Sequence, residues 1–166
     1  MNRLILSVVA ALLLLVGCEN YDFTVNDRLI YGPSKLFFDF SVADPALDSC
    51  LRQGIADGNV DNPRQLRALN CSDAGISDLT GLAQFPALEQ LKFSNNEIRN
   101  LVELTQLPQL ERIWLDNNRI VDPVPLSQLP LLALIDLSGN PTLQCPKDGV
   151  LADVADLKLP KHCLQD

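Results

Sequence analysis

Hydrophobic residues recur in this chain with a period of 22 residues. Four segments align without a gap, starting at residues 66, 88, 110 and 132. The fourth and sixth positions are apolar in every segment. The fourth position holds Leu69, Leu91, Ile113 and Ile135, and the sixth holds Cys71, Phe93, Leu115 and Leu137. Such alternation predicts a short strand with one buried face. Because one strand cannot bury that face alone, we expect successive coils to stack into a parallel sheet around a continuous core.

A second set of shared positions predicts the turns. Asn96, Asn118 and Asn140 occupy the ninth position of successive coils, where the chain must leave the strand. An inward Asn there can bond backbone groups that would otherwise be buried without partners. The first coil has Ala74 instead, so we expect the Asn ladder to begin one coil late. Thr142 replaces the apolar eleventh residue of the fourth coil, which indicates that this coil gives way to a cap.

The shared pattern LxxLxLxxNxI resembles the leucine-rich repeat, in the 22-residue variety found in bacterial internalins. The resemblance covers about 80 residues. It implies a short α/β leucine-rich repeat solenoid, with about four parallel strands on a concave face. Residues 66–144 form the predicted repeats.

Caps are expected at both ends, because the ends of a solenoid expose apolar core. Residues 36–65 form the predicted N-terminal cap, in which Asp44 precedes Pro45 as an N-cap precedes a helix. The apolar residues that we expect in this cap are Leu36, Phe37, Phe38, Phe40, Leu47 and Leu51. Residues 145–166 form the predicted C-terminal cap, and helical spacing there involves Val150, Leu151, Val154 and Leu157. Both caps are therefore predicted to be helical.

The N-terminus predicts export. One arginine precedes an apolar run over residues 4–17, which is shorter than the roughly 20 residues that span a bilayer. The junction Leu15-Val16-Gly17-Cys18 resembles a bacterial lipobox. The resemblance implies a signal peptide at 1–17, removed to leave lipid, including palmitate, on Cys18, and a tether at 18–35. The alternative is an ordinary signal peptide with a chance cysteine. Glu19, rather than Asp, implies the outer membrane, periplasmic or surface-facing.

The remaining four cysteines suggest two disulfides in an oxidising compartment. In the repeat register, Cys71 belongs to the first coil and Cys145 to the fourth. Three strand spacings separate these coils by roughly 14 Å, whereas disulfide-bonded Cα atoms lie within about 7 Å. We therefore expect the pairs Cys50–Cys71 and Cys145–Cys163, each joining a cap to its end of the core.

The net charge of the chain argues against two kinds of anionic partner. The chain has 13 Lys and Arg, and all except Arg3 lie in residues 19–166. These 12 positive residues stand against 21 Asp and Glu, so the net charge of residues 19–166 is −9. This balance argues against nucleic acid and against electrostatic attraction to anionic lipid.

The residues between the buried leucines point to the concave face. Those that we expect to bind a protein partner are Lys92, Arg112, Trp114, Asp116 and Asp136. A rigid aromatic ring beside Arg, on a preformed sheet, is typical of binding hot spots. Two alternatives remain open: Trp114 lies over Lys92 or Arg112 in a cation–π contact without a partner, or the N-terminal segment covers it.

Catalysis is not predicted. His162 is the only histidine, so no second His can complete a metal set or a Ser-His-Asp arrangement. Asp116 and Asp136 are expected to be solvated carboxylates, and no cofactor or metal site is predicted. The leading hypothesis is a lipid-anchored envelope module that binds protein on its concave face. The alternatives are a structural envelope lipoprotein acting through its caps and a glycan-binding module.

Overall fold

The computed structural model describes residues 23–25, 28–31, 35–147 and 149–164. The expected signal peptide at 1–17 and the lipid attachment at Cys18 lie outside the described residues. No helix in the described ranges has the length and apolar character needed to cross a membrane. The chain divides into two compact units, Met1–Lys35 and Leu36–Asp166.

The first unit contains a two-stranded antiparallel sheet. Its strands are β1, Phe23–Val25, and β2, Arg28–Tyr31. They fall within residues 18–35, for which the sequence predicted only a tether.

The second unit begins with a cap built on one α-helix. Helix α1, Pro45–Asp57, starts where Asp44 Oδ1 accepts hydrogen bonds from Ala46 N at 2.8 Å and Leu47 N at 3.2 Å. The helix buries Leu47, Leu51 and Ile55 against the first coil. Phe37 and Phe40 pack edge-to-face on Phe85, with ring centroids 6.1 and 5.3 Å away. The N-terminal cap therefore contains the predicted helix and the predicted aromatic contacts.

Asp44 also joins the cap to the repeats. Its second oxygen, Oδ2, accepts from Ser77 N at 2.8 Å, Ser77 Oγ at 3.0 Å and Asp78 N at 3.2 Å. Burial raises the pKa of Asp44, but hydrogen bonds from Ser77, Leu47 and Asp78 outweigh burial and hold this pKa below its ordinary value of 3.8. The ionised carboxylate thus stabilises the contact between α1 and the first coil.

We expect Asp44→Asn to lower the free energy of unfolding by about 2 kcal/mol at neutral pH, because an amide offers neither the charge nor both acceptor oxygens. A lowered folded-state pKa contributes stability that is present above the unfolded pKa and is lost as pH falls through the folded pKa. The difference in stability between the wild-type and Asp44→Asn proteins should therefore shrink below pH 3.8. Urea unfolding over this range measures it, with exposed Asp61→Asn as control. A difference that stays constant in acid would contradict the role of the charge.

Five parallel strands form the sheet of the solenoid. They are β3, Ala68–Asn70; β4, Gln90–Lys92; β5, Arg112–Trp114; β6, Leu134–Asp136; and β7, Asp156–Lys158. They lie in sequence order, and each residue pairs with the one 22 positions later, as Leu69 pairs with Leu91. Short 3-10 helices cover the opposite side of the core at Leu82–Gln84, Val102–Gln106 and Val124–Gln128. Two more, Pro63–Gln65 and Lys161–Cys163, lie in the caps.

The Asn ladder connects neighbouring coils through the core. Asn118 Oδ1 accepts from Ile98 N at 3.0 Å, while its Nδ2 donates to Phe93 O at 2.8 Å and Leu115 O at 3.1 Å. Asn96 and Asn140 make the equivalent bonds one coil earlier and one coil later. As expected, the ladder begins with the second coil.

The C-terminal cap differs from the helix that the sequence predicted. Among described residues 145–147 and 149–164, the structure has strand β7 and one short 3-10 helix. Val154, Leu157 and Leu159 lie 22 residues after Leu132, Ile135 and Leu137, so they continue the repeat as a fifth coil. Left-handed backbone at Gly149, φ 88°, and Leu151, φ 69°, is incompatible with a helix through these residues. The expected four strands are therefore five.

The two disulfides join Cys50 to Cys71 and Cys145 to Cys163, with Cα–Cα distances of 5.8 and 5.3 Å. The first connects α1 to β3's coil, and the second closes the fifth coil onto the fourth. These are the pairs expected from the repeat register.

Candidate functional site

The concave face of the sheet carries the predicted binding residues, and Trp114 lies near its centre. The indole side chain projects from the middle strand, β5, and is half-buried. The register places Lys92 beside it on β4 and Asp136 beside it on β6. Ile113, the preceding residue, is fully buried, so the alternation that the sequence predicted holds at this strand.

Lys92 covers part of the indole. Its Nζ lies 5.2 Å from the ring centroid, within the distance of a cation–π contact. This geometry is one of the two alternatives that the sequence left open. Lys92 and Arg112 are both exposed, and within the described ranges neither has a carboxylate within 4.0 Å. One cation without an acidic partner therefore lies over the aromatic ring, and a second, Arg112, lies two residues earlier on the same strand.

Asp116 is held at the end of β5 by polar neighbours. Ser94 Oγ donates to Asp116 Oδ1 at 2.5 Å, and Asn117 Nδ2 donates to Asp116 Oδ2 at 3.1 Å. Asn117 Nδ2 also donates to Asn95 Oδ1 at 3.0 Å. Asn95 and Asn117 have left-handed backbone, with φ of 58° and 54°. Because Asn adopts this conformation more readily than most residues, it suits the turn that follows each strand.

Asp136 is not open to solvent as the sequence led us to expect. Only 8% of its surface is exposed, and its carboxylate accepts from Ser138 N at 3.0 Å, Ser138 Oγ at 2.6 Å and Lys158 Nζ at 3.2 Å. Burial raises the pKa of Asp136, but the bonds from Ser138 and Lys158 outweigh burial and lower it below the ordinary value. Asp136 thus connects β6 to β7, and it lies beside the open surface without forming part of it.

Lys158 is the residue that the sequence interpretation missed. It occupies the fifth position of the fifth coil, in the row that contains Lys92, Trp114 and Asp136. The signal that could have found it was the spacing of Val154, which is 22 residues from Leu132. Val154 also satisfies helical spacing with its apolar neighbours in the C-terminal cap, and that spacing predicted a helix instead of a strand.

His162 lies in the C-terminal cap, in contact with backbone. Its Nε2 is 2.9 Å from Leu143 O, so this nitrogen carries the proton. Ligand atoms of His162, Cys145 and Cys163 lie within 4.8 Å of one another, but both cysteines are in a disulfide and offer no thiolate. The absence of catalysis and of a metal site stays a prediction.

Comparison with known proteins identifies the repeats. A family profile described as "Leucine Rich repeats (2 copies)" matches residues 86–123. No curated protein matches the sequence. Among solved structures, internalin C2 of Listeria monocytogenes is similar, with 28% identity, a TM-score of 0.51 and 59% of this chain covered. A leucine-rich repeat protein of Leptospira interrogans is also similar, with 31% identity, a TM-score of 0.51 and 58% covered.

This chain spans only part of those proteins, since the matches cover 42% of the internalin and 26% of the Leptospira protein. The repeats, the parallel strands and these neighbours identify the fold as a short leucine-rich repeat solenoid of the internalin-like kind. Solenoids of this kind present an extended concave surface, which suggests a protein-interaction module.

Proposed function

We propose that this leucine-rich repeat solenoid binds a protein partner through a concave patch formed by Lys92, Arg112, Trp114 and Asp116. The observation that carries the proposal is a half-buried indole with Lys92 over its ring and a second cation, Arg112, two residues earlier on the same strand. Neither cation has a carboxylate within 4.0 Å in the described ranges. Arg and Trp are the residue types that dominate binding hot spots. The strands that hold them are fixed by the core and by the Asn ladder, so little conformational entropy is lost on contact.

The charge of the patch suggests the chemistry of the partner. The whole chain has a net charge of −8, yet Lys92 on β4 and Arg112 on β5 have no carboxylate partner in the described ranges. A partner segment that carries Asp or Glu beside an apolar residue would complement both the cations and the ring. Asp136 contributes indirectly, because its ion pair with Lys158 holds the neighbouring strands together.

The proposed location is the bacterial cell envelope, with lipid on Cys18 as the anchor. The lipobox-like residues 15–18 and the apolar run before them support this proposal. Two disulfides fit a protein that folds in an oxidising compartment outside the cytoplasm. Anchoring would hold the concave patch near the membrane, where an envelope partner is at high local concentration.

We expect Trp114→Ala to weaken binding of the partner by about 2 kcal/mol, because truncation removes the ring at the centre of the patch. The partner is first trapped in intact cells with a photoreactive residue at position 114 and then titrated in purified form. Val102→Ala removes an exposed apolar side chain on the opposite side of the solenoid and serves as the control. Equal affinity of the Trp114→Ala and Val102→Ala proteins would exclude the concave patch.

The same variants separate the two alternatives. If the protein is structural and acts through its caps, Cys18→Ser should abolish its envelope phenotype while Trp114→Ala leaves the phenotype intact. If it binds glycans, saccharides should quench the fluorescence of Trp114, the only tryptophan, in the absence of any protein partner. Neither outcome is expected under protein binding.

A further inference from the structure

The two ends of the solenoid sheet are covered differently. At the N-terminal end, α1 packs against β3, where Cys50 Sγ is 3.3 Å from Asn70 O and is bonded to Cys71. At the C-terminal end, β7 is the last strand in the order, and no strand within the described ranges pairs beyond it. The backbone on that side of β7 is therefore a parallel-sheet edge without a neighbour in the sheet.

The hydrogen-bonding groups at this edge follow from the ladder. Asp156 N donates to Ala133 O at 2.9 Å, and Leu137 N donates to Lys158 O at 2.8 Å. The backbone N–H and C=O groups of residues 156 and 158 therefore face β6. Because alternate residues of a parallel strand face opposite sides, Leu157 N–H and C=O face away from β6. In earlier coils, the groups equivalent to Ala155 C=O and Leu159 N–H also bond the following coil. We call these four groups of Ala155, Leu157 and Leu159 the outer edge of β7.

Apolar surface accompanies this edge. Leu157 and Leu159 are only half-buried, whereas the equivalent residues one coil earlier, Ile135 and Leu137, are fully buried. The difference arises because a coil in the middle of the stack has a neighbouring coil on both sides, whereas the last coil has one on one side only. A further strand at the outer edge of β7 would therefore cover apolar area as well as pair backbone groups.

The side chains at this edge complement themselves. Asp156 and Lys158 are both exposed and stand on either side of Leu157. When this strand is reversed and placed beside itself, Leu157 faces Leu157 of the other copy, and each Asp156 faces a Lys158. Opposite charges directly across an antiparallel pair are stabilising, and like charges are destabilising.

We propose that two copies of this chain associate through the outer edge of β7, in antiparallel register centred on Leu157. The two Leu157 residues exchange N–H···O=C bonds, and each Leu159 N–H donates to Ala155 C=O of the other copy. This is an isologous two-fold interface, in which the same edge serves both copies. It joins the two sheets into one, with both Trp114 side chains on a continuous concave surface.

Asp156→Lys tests the interface, because it places a lysine opposite Lys158 at both symmetric pairs. We expect the substitution to weaken self-association of the full chain about ten-fold, measured by sedimentation equilibrium with detergent micelles in large excess over chains. Asp153→Lys makes the same charge change at an exposed residue outside the strand and should leave association unchanged.

Zero-length carbodiimide crosslinking of mixed unlabelled and ¹⁵N-labelled chains provides the second measurement. Crosslinks between Asp156 of one isotope and Lys158 of the other are the expected product. A full chain that stays monomeric at high concentration would overturn the proposal. Dimers that Asp156→Lys and Asp153→Lys affect equally, or that lack the mixed-isotope Asp156–Lys158 crosslink, would also overturn it.

Discussion

Loss of both disulfides is expected to lower the free energy of unfolding by about 6 kcal/mol, with each bond contributing about 3 kcal/mol. The bonds close loops with sequence separations of 21 and 18 residues, so each restricts the unfolded chain appreciably. Small domains are stable by only about 5–15 kcal/mol in total. The reduced protein should therefore be largely unfolded at temperatures at which the oxidised protein is folded. Circular dichroism during thermal unfolding, with and without reductant, measures the effect.

Replacing the two cysteine pairs by alanine should not lower the free energy of unfolding equally. Cys71 is buried in the first coil, whereas Cys145 is exposed and Cys163 half-buried. We therefore expect Cys50→Ala with Cys71→Ala to cost more than Cys145→Ala with Cys163→Ala, because the first pair also loses core packing. Unchanged unfolding midpoints on reduction would show that the caps do not depend on these bonds.

Replacement of Asn118 by alanine is expected to lower the free energy of unfolding by about 4 kcal/mol. The substitution leaves Ile98 N–H buried without the partner that Asn118 provides. It also removes one of two donors from Phe93 C=O and from Leu115 C=O, which keep Asn96 and Asn140. A buried N–H left without a partner costs about 1–3 kcal/mol, and each further hydrogen bond that is lost costs about 1 kcal/mol. Alanine also leaves a small cavity between coils, which adds to the loss.

Two variants sharpen this measurement. Asn100→Ala removes an exposed Asn whose Oδ1 accepts a hydrogen bond from Val102 N, and it should lower the free energy of unfolding by about 1 kcal/mol or less. Asn118→Asp keeps an acceptor for Ile98 N–H but loses both donors, so it should destabilise the protein at neutral pH nearly as much as alanine does. Chemical denaturation of the four proteins gives the comparison. An Asn118→Ala protein as stable as Asn100→Ala would contradict the role of the ladder.

The repeats could be predicted from the sequence because one spacing determines many contacts at once. Leu91 is buried for the same reason as Ile113 and Ile135, and the shared ninth-position Asn identified the ladder before its bonds were known. The N-terminal helix was equally accessible, since Asp44 and Pro45 are a local signal. The register also made the cysteine pairs predictable, because it places each cysteine in a coil.

The C-terminal cap could not be resolved by spacing alone. Val154 and Leu157 are three residues apart, which satisfies both a helix and the LxxL of a strand coil. The error then affected the candidate site, since a fourth and final strand would have left Asp136 exposed. In the structure, Lys158 of the fifth strand pairs with that carboxylate. The contact of Lys92 with the indole depends on rotamers, which the pattern of residue types does not determine.

The constant length of the coils affects how such a gene can change over generations. Deletion or tandem duplication of 22 codons, for example those of residues 88–109, joins surfaces that already fit each other. Both disulfides are retained after such an event, and only the width of the concave face changes. An insertion of one residue within a strand instead turns its inward side chains to the opposite face. We therefore expect selection to tolerate the gain or loss of whole coils and to act against insertions that shift a strand.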